Sequence, residues 1–169
     1  FVKTGGLADV VGSLPKAFDK EKYEVRVIIP NYKCIKPEWK EKMNFVTSFY
    51  MDMAWRSQYV GIMEMKYDGI QYYFIDNEYY FAGEKPYGYI HEDVEKFAFF
   101  SKAALSILPV VGYQPDIVHC HDWQTGLVPV YLKDSFHEGG FYVNMKSVMT
   151  IHNLKFQGIW NIETVQDAT

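Results

Sequence analysis

Hydrophobic positions along this chain switch between two periods, and the switches mark its elements. Leu7, Val10, Val11, Leu14, Ala17 and Phe18 follow the pair Gly5-Gly6 at helical spacing. Pro15 falls inside that series and is expected to end or kink the helix, because it lacks an N–H and crowds the preceding turn. Residues 24–30, Glu-Val-Arg-Val-Ile-Ile-Pro, read as a buried strand stopped by proline. Segments 44–53, 58–67 and 70–76 are rich in β-branched and aromatic residues and read as antiparallel strands. Asp68-Gly69 joins the last two and is a strong hairpin signal. Residues 92–108 predict an amphipathic helix with Val94, Phe97, Ala98, Ser101, Ala104, Leu105 and Leu108 on one side. After Pro115, residues 116–120 form a short apolar strand. Asp122 is placed to cap a helix running through about Lys133. Residues 146–151 form a further strand that ends in His152-Asn153.

The second half therefore reads helix–strand–helix–strand, with polar residues massed just after the strands. That order predicts an α/β fold around a parallel sheet, with a site at the carboxyl ends of its strands. The 44–76 segment is expected as an insertion or an antiparallel edge on that sheet. The sequence contains no internal repeat and no low-complexity linker.

Composition narrows the function classes. With 49% hydrophobic and 22% charged residues over 169 positions, the chain reads as globular, with room for one substantial core. Aromatics reach 18%, which suits stacking on sugars and equally suits a core rich in Tyr and Phe. The net charge is −4 and Lys/Arg form no run, so neither nucleic acid nor an anionic membrane has an electrostatic footprint here. Cys34 and Cys120 lie far apart without a CxxC pattern and are expected to be free, buried thiols. No stretch is long and apolar enough to span a bilayer. No signal peptide is visible in a chain whose first residue is Phe1.

Three motifs carry candidate chemistry. In Lys3-Thr-Gly-Gly-Leu-Ala-Asp-Val10, two glycines at a helix start let backbone N–H groups approach an anion, and Lys3 adds a full positive charge. A phosphate is the natural ligand; a bare glycine turn with a solvated lysine is the plainer alternative. The order differs from a P-loop, where the lysine follows the glycines. In His119-Cys-His-Asp-Trp-Gln-Thr-Gly126, His119 and His121 share one strand face and Asp122 follows directly. This cluster, with His152, suits a metal, sugar hydroxyls, or a cap with satisfied histidines. Trp123 either stacks on a sugar or plugs the core. In Thr150-Ile-His-Asn-Leu-Lys-Phe-Gln-Gly158, a strand end delivers His152 and Asn153 into the same crevice. Asn153 offers donor and acceptor to a hydroxyl, or bonds its own turn.

Taken in order, KTGGLADV, HCHDWQTGL and TIHNLKFQG resemble the bacterial glycogen synthase and plant starch synthase family, ADP-glucose-using glycosyltransferases of family 5. Residues 25–32 resemble that family's second strand and residues 97–105 its long helix, so the resemblance covers nearly the whole chain. It implies one half of a GT-B architecture: a Rossmann-like three-layer parallel sheet with the 44–76 hairpin segment. Residues 1–169 are then one partial N-terminal catalytic domain. By the same resemblance, Lys3, Gly5 and Gly6 contact the donor phosphates and Asp9 lines that pocket. His152 and Asn153 lie at the transferred glucose as the catalytic pair. Asp122 and Trp123 hold the acceptor, and Phe81 is an acceptor-stacking ring.

The implied reaction moves glucose from ADP-glucose to the non-reducing end of an α-1,4-glucan, with retention and with neither metal nor cofactor. Lys3 and the helix-start amides would stabilise the departing ADP. The family's first strand, before KTGGL, and its C-terminal domain are expected to be absent. Glu92-Asp93 stands where the family has Asp-Asn, and Lys96 where it has Arg. The chain by itself is therefore expected to be inactive, and its exposed sheet to favour self-association. The resemblance implies a cytoplasmic location in a bacterium and a plastid location in a plant. A stand-alone glucan-binding module, or a metal-dependent hydrolase built on His119, His121, Asp122 and His152, are the alternatives.

Overall fold

A computed structural model describes residues 1–2, 6–88, 90–138 and 140–169. The chain forms two compact units: residues 1–51 with 57–88, and residues 52–56 with 89–169.

The first unit opens with α1 (Gly6–Ala17), continues through β1 (Arg26–Pro30) and the one-turn α2 (Pro37–Lys40), and then forms β2 (Asn44–Met53), β3 (Arg56–Tyr67) and β4 (Ile70–Asp76). It ends in the one-turn α3 (Glu78–Phe81). The tip of the β2–β3 hairpin, residues 52–56, groups with the second unit. Pro15 does not stop α1, which runs two residues further to Ala17. The helix tolerates it so close to its end because only the Val11 carbonyl loses its intrahelical donor there.

The sheet order is β1-β4-β3-β2. The Asp68-Gly69 turn forms as read: both residues have positive φ, +52° and +76°, the geometry of a two-residue type I′ loop. Tyr67 pairs with Ile70 directly across it. The 44–76 segment forms the antiparallel side of this sheet, and its last strand joins it to β1. β4 lies inside the sheet, parallel to β1 (Arg26↔Gln71 to Pro30↔Ile75) and antiparallel to β3. Its run Tyr72-Tyr73-Phe74-Ile75 is buried at every position, which only an interior strand covered on both faces accommodates. β2 takes the edge, and its outer residues Phe45 and Tyr50 are exposed. Val27, Ile35, Met65, Tyr72 and Phe74 form the core, against which Phe1 packs edge-on to Trp39 and Tyr72, at 5.0 Å from each ring.

The second unit contains α4 (Ile90–Val110), β5 (Ile117–His121), a 3-10 turn (Trp123–Thr125), α5 (Val128–Asp134), β6 (Lys146–Thr150) and α6 (Ile162–Ala168). β5 and β6 pair in parallel as a separate two-stranded sheet. The α/β class holds, with parallel and antiparallel pairings among the described residues. α4 is buried on more than the one face expected of an amphipathic helix. Phe99, Phe100, Ala103 and Ile107, off the marked stripe, are all enclosed together with Phe97 and Leu105. A helix enclosed on so many sides is a core helix, and apart from Lys102 its charges lie in its first two turns. Its first turns hold a buried ion pair, Asp93–Lys96 at 2.7 Å. Tyr142 Oη donates to the Leu105 carbonyl at 2.9 Å and pins the loop before β6 to the helix.

Candidate functional site

Parallel pairing of β5 with β6 builds the crevice. The register sets His119 beside Val148 and His121 beside Thr150. Paired residues in neighbouring strands point to the same face, and so do residues two apart along one strand. His119, His121, Thr150 and His152 therefore converge. His119 Nε2 lies 2.7 Å from Thr150 Oγ1, and His121 Nδ1 lies 3.0 Å from His152 Nε2. The His119 and His121 rings sit 4.2 Å apart, and His121 stacks on His152 at 5.3 Å. Burial, then the neighbouring His119 and His152 charges, push His121 down to about 4, against a weaker opposing pull from Asp122. At neutral pH its ring is uncharged, so one proton serves the His121–His152 contact.

Asp122 ties the two strand ends together. Its N–H extends the ladder by one rung, donating to the Thr150 carbonyl at 2.9 Å. The backbone then turns to φ +58°, ψ −177°, a region occupied almost exclusively by glycine. In that conformation the buried carboxylate accepts the backbone N–H of His152 at 2.7 Å. It makes no side-chain bond to the 3-10 turn that follows, so the cap expected at Asp122 does not form. α5 begins only at Val128, after Leu127. The physical reason is competition: an anion facing a backbone N–H across the sheet makes a charge-assisted bond, stronger than a local cap. Thr125 closes the same loop, its Oγ1 accepting from His121 N–H at 2.7 Å and donating to the His121 carbonyl at 2.9 Å.

Trp123 is half-buried. Its ring meets Phe97 edge-on at 5.0 Å and Trp160 at 5.1 Å. Gly158 has φ +60°, and a Cβ there would fall 2.8 Å from the Trp123 ring. Trp123 thus serves the core of its unit while also lining an apolar hollow of about 500 Å³ with Ile151, Leu154, Phe156 and Trp160. Asn153 follows the local alternative: its Oδ1 accepts from Lys155 N–H at 2.9 Å. Cys120 is buried and its thiol is pushed up to about 12 by that burial, so it is inert; Cys34 is free and half-buried.

The structure thus brings together His119, His121, Asp122 and His152, with Trp123 and Asn153 adjacent in sequence. Gly6 and Asp9 lie in the first unit, at the start and in the first turn of α1, both exposed. Lys3 and Gly5 lie outside the described residues. Phe81 also belongs to the first unit, 2% exposed and edge-on to Tyr32 at 5.6 Å. The open ring on that helix is Tyr79, 77% exposed. Sequence reasoning missed Thr125, Thr150 and Gly158. Thr125, three residues after a strand-ending Asp, carried a weak turn signal; the other two depend on register and on a ring packed from 35 residues away. Among the described residues, no group of three His, Cys, Asp or Glu side chains is arranged to hold a metal ion. Among the described residues, no helix is long and apolar enough to cross a membrane.

The sequence profile described as the starch synthase catalytic domain matches residues 1–169. The chain is 66% identical over its whole length to a glycogen synthase of Lachnospira eligens, covering 35% of that protein. It is 48% identical over 167 residues to the glycogen synthase of Geobacillus stearothermophilus, covering 99% of this chain and 34% of that one. It therefore spans about a third of the length of the curated relatives it matches. Its fold is similar to the catalytic domain of starch synthase IV from Arabidopsis thaliana, solved bound to ADP and acarbose. The TM-score is 0.87 at 30% identity, over 98% of this chain and 34% of the solved one.

Proposed function

Because this chain belongs to the starch synthase catalytic domain family, we propose that it forms part of a retaining glucosyltransferase. That enzyme moves glucose from ADP-glucose to the non-reducing end of an α-1,4-glucan. The observation that carries this reading is the Asp122–His152 bond at 2.7 Å, which fixes the backbone at the end of β6 from the end of β5. A carbonyl and an imidazole held in one place are what a developing glucosyl cation requires, since preorganised dipoles cost no reorganisation at the transition state. The uncharged His121 supports the same reading. It neighbours His152 without adding positive charge where positive charge develops.

On this reading His152 faces the transferred sugar with Asn153 beside it. Asp122 acts as the positioning residue, and Trp123 bounds the acceptor side. Lys3, Gly5 and Gly6 would hold the donor phosphates, and Asp9 would line the same pocket. The solved relative's ADP and acarbose support a nucleotide donor and a glucan-like acceptor. The test is a transfer assay on a full-length synthase carrying this sequence over the matched third, with labelled ADP-glucose or UDP-glucose and glycogen. The account expects label in α-1,4 linkage at chain ends, with ADP-glucose preferred. Transfer with inversion, or none from either donor, sinks it.

A further inference from the structure

The two nitrogens of an imidazole stop being interchangeable once one of them is engaged. His152 meets His121 Nδ1 through its own Nε2, at 3.0 Å, which leaves His152 Nδ1 for a ligand. A half-turn of the ring about its Cβ–Cγ bond exchanges each nitrogen with a carbon, and an exposed ring such as His152 can adopt either orientation. The contact with His121 separates the two. Only one orientation sets a nitrogen, rather than a C–H, against His121 Nδ1.

His121 is itself held in place. Its backbone N–H and carbonyl both bond the Thr125 hydroxyl, at 2.7 and 2.9 Å. Its ring lies against those of His119 and His152, with centroids 4.2 and 5.3 Å away and planes inclined by 30° and 15°. His119 is fixed in turn by Thr150, Nε2 to Oγ1 at 2.7 Å. Burial and the flanking histidines keep His121 uncharged at neutral pH, so its Nδ1 can either give a proton to His152 or take one. A chain of contacts thus runs Thr150–His119–His121–His152. It starts on the paired strands β5 and β6 and ends at a ring open to the crevice.

We propose that His121 is a positioning residue for glucosyl transfer, fixing the ring of His152 so that its Nδ1 meets a hydroxyl of the transferred sugar. Asp122 then holds the backbone of His152, and His121 holds its ring. The role in transfer rests on the transferase reading above; the orientation of the ring rests on the His121–His152 contact alone.

Two measurements test it together. In the histidine-labelled chain at neutral pH, NMR should detect a 15N–15N coupling across the hydrogen bond between His121 Nδ1 and His152 Nε2. In a full-length synthase carrying this sequence, two substitutions separate the bond from the ring packing. His121→Phe keeps an aromatic ring and loses the nitrogen. His121→Asn carries its amide as far along the side chain as histidine carries Nδ1, and that amide both donates and accepts. Phenylalanine should lower kcat about fivefold or more, the value of one neutral hydrogen bond, with KM for ADP-glucose within about twofold. Asparagine should restore most of the loss. A missing coupling, a phenylalanine variant with the parent's kcat, or an asparagine variant no better than phenylalanine overturns the proposal. The coupling is read in the unsubstituted chain, so it decides even where phenylalanine unfolds the protein. The two readings fail separately. A coupling without any transfer by the unsubstituted synthase removes the transferase reading and keeps the ring contact. Transfer that phenylalanine leaves intact removes the role of His121 alone.

Discussion

Two aspartates in this chain have left-handed backbones, and they differ in what that conformation accomplishes. Asp68 (φ +52°) sits in the tip of an exposed hairpin beside Gly69, where a type I′ turn requires positive φ from both residues. Its carboxylate pairs with Lys16 at the surface, 2.6 Å away. Asp122 (φ +58°, ψ −177°) sits buried at a strand end, in a region where only glycine is at ease, and its carboxylate reaches another strand. The first conformation is the ordinary geometry of a turn. The second stores strain of about 1–3 kcal/mol, which the charge-assisted bond to His152 offsets. The difference separates a turn that closes a hairpin from a strained residue that positions a site.

The largest effect expected from disturbing this contrast is indirect, through the ring that flanks Asp122. Gly158→Ala places a methyl group 2.8 Å from Trp123 at a backbone with φ +60°. The left-handed penalty and the overpacking together should cost roughly 2–5 kcal/mol, read by urea denaturation of the chain. A loss below half a unit of that scale would show that Trp123 moves freely and does not brace the Asp122 loop.

Next is Asp122 itself. Asp122→Ala leaves the strained backbone and removes the bond, a loss of roughly 1.5–3 kcal/mol. Asp122→Gly removes the same bond but also the strain, so it should be more stable than the alanine variant by about 1–3 kcal/mol. Glycine's freer unfolded chain narrows that gap by about 0.4–1 kcal/mol. Equal stability of the two variants in denaturant melts would mean that no strain is stored.

Smaller and pH-dependent is the effect at His121. Its folded value of about 4 lies below the ordinary 6.5. Above pH 6.5 the ring is neutral in both states and its contribution is fully present. As pH falls from 6.5 towards 4, the unfolded chain takes a proton that the folded chain refuses, and stability drops. His121→Gln should flatten the stability–pH curve in that window; an unchanged slope would place the cluster's titration elsewhere. The smallest effect belongs to the hairpin: Asp68→Gly keeps the turn and loses one exposed ion pair, so the melting curve should not move measurably. A clear drop would give Lys16–Asp68 a role that its exposure denies.

The same contrast explains what could be read from sequence. The hairpin was legible because everything that makes it is local: Asp68-Gly69 between two runs of β-branched and aromatic residues. The helix start at Gly6, the long α4 and the two parallel strands were legible for the same reason. The crevice was legible only in composition. His119, His121, Asp122 and His152 were singled out, but the bond that organises them spans 30 residues and depends on β5–β6 register. A capping role for Asp122 was the local reading, and a longer-range, charge-assisted partner displaced it. The central place of β4 was hidden similarly. A strong hairpin signal says who its neighbour is on one side and nothing about β1 on the other. Phe81 shows the limit for single aromatics, since burial of the ring is decided by α3 docking and not by its own identity.

The central claim is that the Asp122 carboxylate positions His152 for glucosyl transfer, and one comparison tests it most directly. Rates of transfer from ADP-glucose to glycogen would be measured for a full-length synthase carrying this sequence with Asp122, Asp122→Asn or Asp122→Ala. Asparagine keeps an acceptor oxygen for the His152 N–H; alanine does not. The account predicts that alanine lowers kcat about a hundredfold, with little change in KM for ADP-glucose, and that asparagine recovers a substantial part of the loss. An alanine variant with kcat within twofold of the parent would contradict it.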